Sequence, residues 1–75
     1  MKNLLEYILK GIVKNPNEVV VLEFEEDDKK IFEISVNPED VGQVIGKDGR
    51  TIKSIKILLS SITDESDFIL KVVRW

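Results

Sequence analysis

Leu4, Leu5, Ile8, Leu9, Ile12 and Val13 recur at helical spacing and fill one half of a helical wheel at about 100° per residue. This predicts an opening amphipathic helix, with Asn3 and Glu6 in the form of a capping box and Asn15-Pro16 as its stop. The period then changes to two. Glu18 to Glu25 is rich in β-branched residues, with Val20, Leu22 and Phe24 on one face and Glu23 and Glu25 sharing the other, so a strand is expected. Glu26-Asp27-Asp28-Lys29 is a polar turn, and Ile31 to Val36 resumes alternation with Phe32, Ile34 and Val36 on the inner face. The two strands form an antiparallel hairpin.

The second half returns to helical spacing. Asn37-Pro38-Glu39-Asp40 combines a cap residue, proline at the first helical position and acids in the first turn, which predicts a short helix from Pro38 to about Ile45. Ile52, Ile55, Leu58, Leu59 and Ile62 fall within about 120° on a wheel and define the buried stripe of a longer helix ending near Thr63-Asp64, with Arg50, Lys53 and Lys56 on its far side. Phe68 to Val73 is apolar enough for a well-buried third strand. The order is αββααβ. Two helices between the second and third strands make a crossover long enough for those strands to run parallel, with the usual right-handed connection. The expected fold is a two-layer α+β domain: a three-stranded mixed sheet with three helices on one face.

Composition limits what such a domain does. Residues 1–75 are read as one domain, and a chain of this size buries only about 60% of its unfolded surface, which leaves little room for a deep catalytic cleft. There is no cysteine and no histidine, so thiolate zinc sites, disulfides and the commonest general base are all absent. Carboxylates lack a partnered base, the GxxxxGK[ST] phosphate loop is missing, and the acidic run Glu23 to Asp28 lacks the spacing and glycine of a calcium loop. No enzyme, cofactor, metal or small-molecule substrate is therefore expected. The first helix carries Lys2, Lys10 and Lys14 beside its apolar stripe, but core packing explains that stripe better than a membrane surface. The segment is a poor signal peptide, and no apolar run approaches membrane-spanning length. A cytoplasmic location is expected.

The net charge is −3, yet it is polarised along the chain. Glu23, Glu25, Glu26, Asp27 and Asp28 crowd the hairpin, whereas residues 47–56 hold Lys47, Arg50, Lys53 and Lys56 against Asp48 alone. Within that basic stretch, Gly46 and Gly49 stand three residues apart between two predicted helices. Gly46 follows Val44 and Ile45 where a helix C-terminus often needs positive φ, and Gly49 opens a helix whose first N–H groups lack intrahelical partners. Such a joint suits an anion, and the missing side chains let a nucleic-acid strand approach the main chain.

The string Pro38-Glu39-Asp40-Val41-Gly42-Gln43-Val44-Ile45-Gly46-Lys47-Asp48-Gly49-Arg50-Thr51-Ile52 contains VIGKDGRTI, which matches the VIGxxGxxI core of the KH domain. With its αββααβ order the chain resembles the bacterial type II KH fold, and specifically the single-domain KhpA family, over almost its whole length. The resemblance implies that Gly46, Lys47, Asp48 and Gly49, with Arg50 and Lys53 beside them, clamp the backbone of about four unpaired RNA nucleotides. It implies a groove floored by Val41, Val44, Ile45 and Ile52, with the second strand contributing near Ile34 and Val36. It further implies homodimers and partnership with a larger RNA-binding protein of the KhpB type, as RNA chaperone or regulator in cell elongation and peptidoglycan homeostasis.

Three features of the residues refine that expectation. Asp48 places a carboxylate in the clamp and offsets part of the benefit of Lys47, unless it caps the following helix. Tyr7, Phe24, Phe32, Phe68 and Trp75 all fall outside the loop and its helix, so aromatic stacking is not on offer. With four cations at most on phosphate, log affinity should fall against log salt no more steeply than about −3. Ile57 sits on the wheel between Lys53 and Ser61, away from the buried stripe, and with Leu58 it is expected to serve self-association. Two other readings remain open: a helix-hairpin-helix DNA binder, whose turn usually reads GxG, and a dimerisation module with little RNA binding of its own.

Overall fold

The computed structural model describes residues 1–73. The elements are α1 (Lys2–Lys10), a 3₁₀ turn at Pro16–Glu18, β1 (Val20–Glu26), β2 (Lys29–Ser35), α2 (Pro38–Ile45), a 3₁₀ turn at Lys47–Gly49, α3 (Arg50–Thr63) and β3 (Phe68–Val73). The strands lie in the order β1-β2-β3, with β1 antiparallel to β2 and β2 parallel to β3. This is the mixed sheet and αββααβ order of the type II KH fold.

One apolar cluster joins the two layers. Leu5 and Leu9 of α1, Val41 and Val44 of α2, and Ile55 and Leu59 of α3 bury against Val21, Phe32, Ile34 and Phe68 of the sheet. Phe32 and Phe68 meet edge to face, with ring centroids 5.9 Å apart at 85°, and so fasten the parallel pair from within. All three helices cover the same side of the sheet.

The boundaries depart from expectation where tertiary contacts override local signals. Helix α1 stops at Lys10, its N-cap is Met1, and no side chain caps it, so Asn3 and Glu6 do not form a capping box. Asn15-Pro16 instead begins the 3₁₀ turn that carries the chain to β1. On β1 the alternation holds, but Val20, Leu22 and Phe24 face solvent. The register sets Val21 opposite Ile34 and Glu23 opposite Phe32, so Val21 is the residue of β1 that reaches the core. Strand β3 has only Phe68 buried, because it is a sheet edge and not an interior strand. The stripe of α3 is also narrower than its sequence suggests: Ile55 and Leu59 are buried, Leu58 is 46% exposed and Ile62 58%.

The hairpin tip follows backbone logic. Asp27 and Asp28 both take positive φ, 53° and 65°, as a two-residue turn between antiparallel strands demands. Aspartate tolerates that region better than most side chains, and Asp48 and Asp64 occupy it as well.

Candidate nucleic-acid interface

Helix α2 is held firmly at its start. Asn37 Oδ1 accepts the Glu39 N–H at 2.8 Å, and Pro38 fills the first helical position. Asp40 is buried, and its carboxylate accepts the N–H groups of Lys14 and Asn15 and the Asn15 side-chain amide, each at 3.0 Å. The Lys14 N–H in the first place, then the Asn15 groups, hold this carboxyl below the usual aspartate range against the opposing effect of burial. The sequence showed Asp40 only as a first-turn acid; its role in tying the α1–β1 connection to α2 required the fold.

At its other end α2 stops on Gly46, φ 77° and ψ 174°, whose N–H donates to the Gly42 carbonyl at 2.8 Å. Any Cβ here would overlap Thr51 Oγ1 and lie 2.7 Å from the Thr51 Cβ. Gly46 is thus required twice, by its dihedral and by the closeness of α3. A single 3₁₀ turn follows, in which the Gly49 N–H donates to the Gly46 carbonyl at 3.2 Å. Asp48 at φ 56° and Gly49 at φ 74° then swing the chain into α3. Around Gly49 a Cβ would meet nothing within 4 Å, so the dihedral alone favours glycine there. No side chain caps α3, which corrects the idea that Asp48 does so.

The joint exposes its charges. Lys47, Asp48, Arg50 and Lys53 are all exposed at the N-terminal end of α3, where the helix dipole adds positive potential. Lys56, one turn further on, is half-buried, with its ammonium 5.6 Å from the centroid of the Phe68 ring. That cation–π contact draws Lys56 toward β3. Between the two elements lies a crevice of about 190 Å³ lined by Ile52, Lys53, Lys56, Ile69 and Leu70.

This crevice relocates part of the expected groove. Ile34, Val36 and Val44 are fully buried and Val41 is nearly so, which removes all four side chains from any ligand. Strand β2 is the central strand, so its inner side chains belong to the core. Ile45 and Ile52 are half-buried and border the open surface. The accessible apolar wall is Ile69 and Leu70 of β3, which the sequence reading missed. A signal existed in the parallel crossover, which sends the last strand to the sheet edge. Tyr7, Phe24, Phe32 and Phe68 lie on α1 and the sheet, off the loop, and Trp75 lies outside the described residues.

Residues 2–73 match the family described as KhpA/KhpB, KH domain. The chain belongs to that family. It is 68% identical to the RNA-binding protein KhpA of Thermotoga maritima, over 99% of this chain and the whole length of that protein. It is also similar to the RNA-binding proteins KhpA of Chlamydia pneumoniae, at 43% identity over 89% of this chain and 86% of that one, and of Clostridium acetobutylicum, at 46% over 81% of each. The stretch covered includes the whole α2–joint–α3 unit. Among the described residues no helix is long and apolar enough to cross a membrane.

Proposed function

We propose that this KhpA-family chain is an RNA-binding protein that grips single-stranded RNA by its backbone. Phosphates would sit at the Gly46–Lys47–Asp48–Gly49 joint, and Arg50 and Lys53 would extend the contact along α3. The observation that carries this reading is the joint itself: a four-residue reversal, bare of side chains at Gly46 and Gly49, that opens beside exposed cations and an apolar crevice. The names of its KhpA relatives agree with it. The role is one of binding, not catalysis, and is placed in the cytoplasm.

Lys47→Asp tests this reading. The variant should keep its melting temperature within a few degrees and lose roughly tenfold or more in affinity for an unstructured oligonucleotide, measured by fluorescence anisotropy at low salt, since a phosphate cation is replaced by a like charge. Unchanged affinity would favour the dimerisation module, and equal affinity for duplex DNA would favour the helix-hairpin-helix binder.

Self-association is proposed on α3, where Ile57 is 68% exposed and stands beside half-exposed Leu58. Ile62, one turn beyond Leu58, enlarges that apolar surface. Sedimentation showing only monomer at high micromolar concentration would remove this part. Partnership with a KhpB-type protein in cell elongation and peptidoglycan homeostasis rests on family resemblance alone.

A further inference from the structure

The ground beside α3 changes sign from one end of the helix to the other. The crevice holding Lys53 and Lys56 adjoins, through Lys56, a wider depression of about 660 Å³ bordered by Ser60, Asp64 and Ser66. Through Ser66 this depression adjoins a third, lined by Glu25, Asp28, Lys30, Glu65 and Asp67. A strand leaving the glycine joint along α3 thus passes Arg50, Lys53 and Lys56 and then meets five carboxylates, Asp64 and Asp67 among them, with Lys30 the only cation lining that last depression. Lys30 is 3.9 Å from Glu65 in an exposed pair and offers little free charge to a newcomer.

Distance keeps the two ends electrically separate. Fourteen helical residues span about 21 Å, well over the Debye length of about 8 Å at physiological salt. The cations near the joint therefore do not cancel the acids beyond it, and the helix dipole has the same polarity as the side chains.

We infer that the acidic 64–67 segment, backed by Glu25 and Asp28, is a stop for the nucleic acid: it limits the footprint to the joint and the first half of α3 and turns additional phosphates away. This rests on the RNA reading above and adds to it a length specificity set by Asp64, Glu65 and Asp67. The protein would hold short unpaired segments and gain nothing from a longer strand on that side.

The test is a titration, followed by chemical shifts, of oligouridines of four and ten nucleotides into the wild type and into Asp64→Asn/Glu65→Gln/Asp67→Asn. Asparagine tolerates the φ of 58° at position 64, so the backbone there is preserved. The variant should bind the ten-mer about tenfold tighter than the wild type does and the four-mer equally within twofold; comparing variant with wild type at each length cancels the extra registers a long strand offers. Equal gains at both lengths, or none at either, overturn the inference. The wild type alone supplies a second measurement that needs no variant to fold: its salt slope should be the same for both lengths, and a slope that steepens for the ten-mer overturns the inference while leaving the RNA reading intact. Absence of binding to either oligonucleotide by the wild type removes the RNA reading and this inference together.

Discussion

Two turns in this small protein reverse the chain through consecutive residues at positive φ. At the tip of the β1–β2 hairpin they are Asp27 and Asp28; between α2 and α3 they are Asp48 and Gly49. The backbone problem is the same, and the surroundings are opposite. The hairpin stands among Glu25, Glu26 and Lys29 at a sheet end, where charge guards the edge against pairing with another chain. The helical joint is closed on one side by Thr51 against Gly46 and open on the other beside Lys47, Arg50 and Lys53. Dihedrals alone thus mark a turn; enclosure and neighbouring charge distinguish a structural turn from a binding one.

Substitutions at the two turns test that distinction. The largest effect is expected at Gly46→Ala, which combines positive φ with an overlap on Thr51 and should cost about 3 kcal/mol by urea denaturation. Gly49→Ala has only the dihedral against it and should cost nearer 1 kcal/mol; equal losses at both positions would mean that the Thr51 contact contributes nothing. Next in size, Asp48→Gly and Asp28→Gly should each stabilise by about 0.5–1 kcal/mol through relief of the same strain, yet only Asp48→Gly should tighten RNA binding, about fivefold at low salt, by removing a carboxylate near phosphate. A matching gain in affinity from Asp28→Gly would erase the functional difference between the turns.

Acid gives the smallest and most local contrast. Because Asp40 titrates below the usual aspartate range in the folded protein, its contribution to stability is complete above about pH 4 and is lost as pH falls through the lowered folded value. Asp40 anchors α2, which carries the joint, and has no contact with the hairpin. Amide protection in α2 should therefore decline below pH 4 ahead of protection in β1 and β2, and Asp40→Asn should flatten that pH dependence.

Much of this architecture was legible because local and global preferences agree. Asn37-Pro38 specifies the start of α2 with its own cap, and Gly46 its end. The Asp27-Asp28 turn joins two alternating segments, and two consecutive helices force β2 and β3 parallel. The errors fall where a residue's environment comes from distant chain. Val20, Leu22 and Phe24 form an apolar face in sequence and a solvent face in the fold, because the pairing of Val21 with Ile34 decides which side meets the helices. Ile34, Val36 and Val44 read equally well as groove or core, and only their complete burial separates the two.

The sequence by itself determined the element order, the mixed sheet and the glycine joint with its cations, since these depend on periodicity, capping and φ preferences within a few residues. The tertiary structure alone decided that Thr51 closes over Gly46, that Asp40 binds the connection at Lys14 and Asn15, and that Ile69 and Leu70 wall the crevice beside α3. Each of those depends on which elements pack together and in what register, and packing is a property of the whole chain that no short window of sequence contains.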